Sequence, residues 1–233
     1  MEALTFRQGS KASLPTALGY VSIGTACGVV GASSGISPVE MGLMSALVYG
    51  GSSQFIMCAL LVAHAPVLSI VLTVFLVNLR HFLMSLHVTT IFEKASLLEG
   101  VFIGSLLTDE SYGVLLNTYA HQKEITPRWM YGNNVTGYIT WILSVFTGTV
   151  VGQYIPNPSQ FGLDFALVAM FAAIFAAQFE AMAISVSIKK IILVLGTITL
   201  SYFVLAIVLS ESLTVLLATL VGCFVGVCHH ERV

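Results

Sequence analysis

An arginine, a histidine and two carboxylates occur in this chain where the surrounding sequence is apolar enough to exclude them. They are Arg80 and His81 in Asn78-Leu79-Arg80-His81, and Asp109 and Glu110 in Thr108-Asp109-Glu110-Ser111. An ionised side chain at the centre of a bilayer costs about 2.5–3.5 kcal/mol on insertion scales, so such residues face partners or a water-filled path. Arg80 keeps its charge and offers a planar fork of donors, suited to a substrate carboxylate or to a carboxylate of the protein. Asp109 or Glu110 is the natural partner, and a carboxyl held between desolvation and a nearby cation is suited to carrying a proton. On a continuous helix these two point about 100° apart, so one pairs with Arg80 while the other faces elsewhere. His81 changes charge near neutral pH, or sits hydrogen-bonded in place. Arg80, His81, Asp109 and Glu110 are therefore read together as proton-coupling groups or an ion pair.

A second group is uncharged. Tyr49-Gly50-Gly51-Ser52-Ser53-Gln54-Phe55 places two glycines and two serines inside an apolar run. Non-helical backbone at membrane depth is tolerated only where protein or water satisfies it. A helix broken here would aim N-terminal amides and the Ser52, Ser53 and Gln54 side chains at an anion, as discontinuous helices do in transporters. The alternative is a close-packing face on an unbroken helix. Glu180, in Gln178-Phe179-Glu180, adds a carboxylate near the end of another apolar segment, suited to an ammonium group, a proton or the membrane interface. An aliphatic zwitterion would need an anion site, an ammonium site and an apolar wall. Gly50, Gly51, Ser52, Ser53, Gln54, Asn78 and Arg80 are candidates for the first, Glu110 or Glu180 for the second, and Phe55, Met57 and Phe82 for the third.

The elements that position these residues follow from composition. Hydrophobic residues make up 57% of the 233 and charged residues 9%, with a mean hydropathy of +0.93. A soluble domain carries about 25% charged residues, so the chain is an integral membrane protein living in a lipid bilayer. Its formal net charge of -2 gives no basic patch for nucleic acid. Cys27, Cys58, Cys223 and Cys228 lie in apolar surroundings without a C-x-x-C pair, so neither a disulfide framework nor a zinc site is expected.

At about 20 apolar residues per crossing, spans are expected at roughly 14–33, 40–63, 66–86, 98–117, 131–152, 163–186, 190–210 and 213–228. That makes an all-α polytopic helix bundle of about eight spans, with seven as the alternative count. Short cytoplasmic loops collect Lys and Arg. With the N-terminus inside, Arg7, Lys11, Lys123, Arg128, Lys189, Lys190 and Arg232 all fall on the cytoplasmic side, and Lys94 alone falls outside. The chain reads as one transporter domain over 1–233. Its longest polar stretch, His121 to Arg128, separates two groups of four spans as candidate repeat halves, 1–120 and 121–233. Gly24/Gly28, Gly31/Gly35, Gly100/Gly104, Gly148/Gly152 and Gly222/Gly226 have the spacing that lets helix backbones approach. No Walker, H-E-x-x-H or G-x-S-x-G motif is present, so neither ATP use nor a hydrolytic enzyme is indicated.

The chain resembles the AzlC family of bacterial membrane proteins, the large subunit of branched-chain amino acid exporters. The resemblance rests on Leu18-Gly19-Tyr20 with Gly24 and Gly28, Tyr49 to Phe55, Asn78 to Ser85, Thr108-Asp109-Glu110 and Leu163-Asp164-Phe165-Ala166. It implies a multi-pass protein of the bacterial cytoplasmic (inner) membrane that exports leucine, isoleucine, valine and methionine by proton antiport. It implies a separate, small AzlD-type membrane subunit as partner, and no cofactor or metal. A passive channel for a small polar solute and a non-transporting membrane scaffold or sensor are the rival classes. The topology is testable by cysteine labelling in intact cells. Lys94→Cys should react with a membrane-impermeant maleimide and Lys189→Cys should not; the reverse pattern would invert the orientation.

Overall fold

The computed structural model describes residues 4–122, 124–155, 186–209 and 211–228, together with 165, 168, 169, 172, 175, 176, 179, 180, 182 and 183. Among these residues the secondary structure is helical, with no strand. The helices are α1 (Phe6–Ala12), α2 (Leu14–Ser33), α3 (Pro38–Val48), α4 (Gly51–Val62), α5 (Val67–Ile91), α6 (Leu97–Ser105), α7 (Asp109–His121), α8 (Pro127–Gly152), α9 (Ile188–Leu205) and α10 (Glu211–Cys228). The chain divides into two compact units, Met1–Met170 and Phe171–Val233. It is an all-α membrane bundle.

Four of these helices, α2, α5, α8 and α9, are long and apolar enough to cross a membrane. The second expected span is two half-helices, α3 and α4, and so is the fourth, α6 and α7. The expectation of an unbroken fourth span is thus corrected. The sixth expected span, 163–186, lies largely outside the described residues, as do Asp164 and Gln178. A short amphipathic start, α1, precedes the first span. Thr5 and Gln8 cap it reciprocally, and Pro15, lacking an N–H, separates it from the run of α2.

Both broken spans begin alike. Ser37 caps α3 against Glu40, and Ser96 caps α6 against Glu99, each as a reciprocal capping box. They break differently. After α3, Tyr49 takes a left-handed conformation at φ 41°, unusual for a bulky residue, and Gly50 is extended. After α6, the chain runs through Leu106 and Leu107 to Thr108, whose side chain caps α7 in a second kind of box with Ser111.

The first unit is organised around α8, which buries Trp129, Asn133, Asn134, Trp141, Val145 and Thr149 along its length. Glycine sets how closely its neighbours lie. A Cβ on Gly9 would strike the Trp129 carbonyl, and one on Gly132 would strike the Phe6 carbonyl. Gly9 thus stands to Trp129 as Gly132 stands to Phe6, a reciprocal pair of close backbone approaches between α1 and α8. Further along, Gly28 sits against the Val145 carbonyl, Gly148 against the backbone of Thr25, and Gly152 2.8 Å, measured to a hypothetical Cβ, from Val29. The Gly24/Gly28 and Gly148/Gly152 pairs therefore seat α2 on α8 by backbone contact, as small-residue packing in lipid requires. In the second unit α9 and α10 pack together, with Gly222 against Ile198 and Gly226 against Val194. Apolar side chains such as Val67, Leu68, Val71 and Phe75 of α5 point outward, the surface a hydrocarbon solvent demands.

Two stability predictions follow from this packing. Gly28→Val should cost about 1–3 kcal/mol through overpacking and lower the thermal midpoint in detergent by ~2–4 °C per kcal/mol. Gly19→Val, where a Cβ meets nothing within 4 Å, should leave the midpoint unchanged. Tyr138→Phe removes the hydroxyl that donates to the Ala46 carbonyl at 2.8 Å in the last turn of α3. It should cost about 1–3 kcal/mol, the penalty for an unsatisfied buried acceptor, and the same thermal scan reads it.

Candidate functional site

The two breaks meet at one small cavity. Gly50, Gly51 and Ser52 open it from the α4 side, and Thr108, Asp109 and Glu110 from the α7 side. Arg80 and His81 of α5, Tyr20 and Ile23 of α2, Tyr49 and Trp141 complete the lining. Two half-helix N-termini therefore face the same space. Each carries unsatisfied amides and the positive end of a helix dipole. At α7 the need is met by Thr108 as cap and by two acidic residues in the first turn. At α4 Gly50 has no side chain to offer, and no side-chain hydrogen bond caps the helix.

Arg80 spans the two. Its Nη2 donates to Ser52 Oγ at 2.8 Å and lies 3.1 Å from Asp109 Oδ2. Side-chain exposure is 10% for Asp109 and 29% for Arg80, so the pair is largely removed from water. Removing one member of such a buried pair is costly, about 3–5 kcal/mol, because the other is left uncompensated. His81 Nε2 stands 3.9 Å from the same Asp109 oxygen, beyond hydrogen-bond reach.

Glu110 has a different environment. Tyr20 Oη donates to Glu110 Oε2 at 2.8 Å and shares a hydrogen bond of 2.7 Å with Thr108 Oγ1. Thr108 Oγ1 in turn accepts from the Ser111 amide at 3.2 Å. The adjacent carboxylates thus part company: Asp109 goes to a cation and Glu110 to a neutral hydroxyl. Tyr49, on the same cavity, turns a buried hydroxyl toward Tyr20.

Within the first unit, Ser53, Gln54, Phe55, Asn78 and Phe82 are not among the residues that line the cavity. Gln54 is fully buried, accepting from Trp141 Nε1 at 2.6 Å and donating to Ser45 Oγ at 2.8 Å. Both ends of its amide are engaged by protein, so it braces α4 against α3 and α8. Ser53 Oγ donates to Asn78 Oδ1 at 2.7 Å, tying α4 to α5 behind the lining. Phe55 belongs to the apolar core with Tyr20, Trp141 and Val145, and Phe82 is 60% exposed on the outer surface, so neither walls the cavity. Glu180 belongs to the second unit and is exposed there.

Sequence reasoning passed over the residues that hold the breaks open. Asn134 Nδ2 donates to the Ile103 carbonyl at 3.0 Å in the last turn of α6, and Asn133 Nδ2 to the Ser111 carbonyl at 2.9 Å in α7. Tyr138 serves α3 in the same way. The available signal was a pair of asparagines and a tyrosine within one span, and, for α7, the spacing Thr108-x-x-Ser111 that marks a helix start.

Such an arrangement can hold a carboxylate between the α4 amides and Arg80, and a cation or proton at Glu110. Comparison with known proteins agrees with a transport setting. The family model described as AzlC protein matches residues 15–155, which run from α2 through α8 and include the whole cavity lining. The chain is 28% identical over 164 residues to an uncharacterized membrane protein of Helicobacter pylori, covering 70% of this chain and 71% of that one. It is 26% identical over 185 residues to the inner membrane protein YgaZ of Escherichia coli, covering 76% and 74%. With the branched-chain amino acid transport protein AzlC of Bacillus subtilis it shares 24% identity over 174 residues, covering 74% and 67%. No solved structure matches. From the family match, and from a helical membrane architecture that agrees with it, the chain belongs to the AzlC family of membrane proteins.

Proposed function

We propose that this protein is a secondary transporter that exports leucine, isoleucine, valine and methionine from the cell by proton antiport, working with a small AzlD-type membrane subunit. The observation that carries the reading is the Arg80–Asp109 pair set between two half-helix N-termini on one cavity. Broken helices whose amide ends and dipoles converge on a buried site are the means by which many transporters hold a carboxylate. Here α4 supplies amides without a side-chain cap, and Ser52 and Arg80 supply donors. The name printed for the Bacillus subtilis relative supports branched-chain amino acids as the cargo. With no nucleotide-binding motif in the sequence, the reading draws energy from an ion or substrate gradient or from a partner.

The free volume of the cavity is about 20 Å³, space for a water rather than for leucine. In this reading the structure is a closed form, and admitting an amino acid requires α4 and α7 to separate. Separation stretches the Arg80–Asp109 contact, and a substrate carboxylate can then take the place of Asp109 on the guanidinium. Arg80 is thus shared between a protein carboxylate in the empty form and a substrate carboxylate in the loaded one.

Counterflow of radiolabelled leucine in proteoliposomes, with and without the co-purified small subunit and across an imposed pH gradient, tests this directly. Wild-type protein should show saturable leucine flux that responds to the gradient. Unsaturable flux without proton coupling would instead mark a passive channel, and no flux even with the partner present would mark a scaffold or sensor. Arg80→Ala should reduce counterflow to the level of empty liposomes while the protein still reaches the membrane. Ser53→Ala, outside the lining, should keep most of it. Normal flux by Arg80→Ala would remove Arg80 from the site.

A further inference from the structure

We infer that Glu110, rather than its neighbour Asp109, is the group that carries the exchanged proton, and that it takes either that proton or the ammonium group of the substrate. The inference rests on the transport reading and assigns the coupling to one side chain. Its basis is the unequal surroundings of two adjacent carboxylates on the first turn of α7. Asp109 lies 3.1 Å from Arg80 Nη2, with His81 beyond it at 3.9 Å. Adding a proton to Asp109 would leave the Arg80 guanidinium without the carboxylate it meets at 3.1 Å, a cost that a proton on the Tyr20-bound Glu110 does not carry in that form.

Glu110 is hydrogen-bonded instead to a neutral hydroxyl. The titratable and charged groups that face its end of the cavity are Tyr20 from α2, Tyr49 from the α3–α4 break, Arg80 and His81 from α5, and Asp109 beside it. Of these, Tyr20 makes the hydrogen bond to it, and Arg80 is already placed on Asp109 and Ser52. Hydroxyl groups both donate and accept. With Glu110 ionised, Thr108 donates to Tyr20 and Tyr20 donates to Glu110. With Glu110 protonated, the same contacts run in reverse: Glu110 donates to Tyr20 and Tyr20 donates to Thr108. Thr108 Oγ1 then accepts from both Tyr20 and the Ser111 amide, using its two lone pairs. Glu110 is therefore hydrogen-bonded in both states without moving, as a repeatedly loaded proton site must be.

The step balances simply. An O–H bond forms at a Glu110 carboxylate oxygen with a proton taken from water on one side of the membrane, and it breaks on release to water on the other. No electrons are exchanged and no other bond changes. A protonated Glu110 is neutral and no longer attracts an ammonium group, whereas an ionised one does. Proton and amino acid are thus mutually exclusive occupants, which is the condition for antiport.

The test uses the full chain with its co-purified subunit. In proteoliposomes, Glu110→Gln should weaken leucine exchange and raise its half-saturation, and the exchange that remains should lose all response to a pH gradient. Asp109→Asn should not show that selective loss. Infrared difference spectra, taken between acid and alkaline pH, provide a reading that needs no transport. One buried-carboxyl band, resolved from those of the exposed carboxylates, should be missing in Glu110→Gln and present in Asp109→Asn. Tyr20→Phe, which leaves Glu110 in place and removes its hydrogen-bond partner, should shift the pH profile of that band. Gradient-driven efflux that persists in Glu110→Gln overturns the inference, and so does a band that survives Glu110→Gln or an unshifted profile in Tyr20→Phe. Absence of leucine flux in the wild type overturns the transport reading itself, and the infrared arm still decides whether Glu110 is the protonated group.

Discussion

Breaking a helix inside a membrane exposes amides and carbonyls that lipid cannot satisfy, and the whole first unit is arranged around that need. One helix, α8, answers most of it. Tyr138 reaches the Ala46 carbonyl at the end of α3, and Asn134 the Ile103 carbonyl at the end of α6. Trp141 fixes Gln54 just past the first break, and Asn133 holds the Ser111 carbonyl just past the second. Four side chains on one 26-residue helix thus clamp the flanks of both breaks. For this to work α8 must lie close, and the glycine contacts with α1 and α2 show how it is brought in. Gly9, Gly28, Gly132 and Gly148 each stand where any Cβ would collide with backbone. Close packing and polar satisfaction are here one constraint seen from two sides.

Satisfying the carbonyl ends leaves the amide ends to face the cavity, and there the chemistry is concentrated. α7 is capped by its own Thr108 and balanced by Asp109 and Glu110, whose charge suits the positive end of its dipole. α4 has only Gly50 at the cap position, and Gly51 is pressed against Trp141, 2.9 Å from a hypothetical Cβ to the ring. A side chain at Gly51 would displace the ring that braces Gln54. The uncapped N-terminus is therefore a consequence of close packing as much as an opening for a ligand, and the same glycines serve both ends.

The intramembrane charges were legible in the sequence because their cost in hydrocarbon demands a partner, and the break at Gly50-Gly51-Ser52-Ser53 was legible because glycine and serine weaken a helix. The second break was not. Leu106 and Leu107 carry apolar character across it, so hydropathy reads the segment as continuous, and the only mark is the cap Thr108 with Ser111. That omission also blurred the carboxylates, which were placed within a helix instead of at its first turn. Gln54, Ser53 and Phe55 were drawn into the site by adjacency in sequence. Once α4 turns as a helix, they face α3, α5, α8 and the apolar core, while Ser52 keeps the cavity. Adjacency along a chain is a poor guide to shared surroundings wherever a helix begins between the residues.

On the proposed transport reading, charge balance in the cavity favours a zwitterion over an anion or a cation. Two helix N-termini contribute roughly half a positive charge each, Arg80 contributes one, and Asp109 and Glu110 together offset nearly all of it. An amino acid entering as a zwitterion leaves that balance intact, provided its carboxylate takes the Arg80 side and its ammonium the Glu110 side. A lone anion or cation of the same size would leave a net charge in a space poorly supplied with water, where such charges are expensive. On the proposed transport reading, Ser52, Arg80, Asp109 and Glu110 together would favour the dipolar form of an amino acid. The same reading leaves an aliphatic side chain without room in a cavity of about 20 Å³, so it requires α4 and α7 to separate before such a ligand can enter.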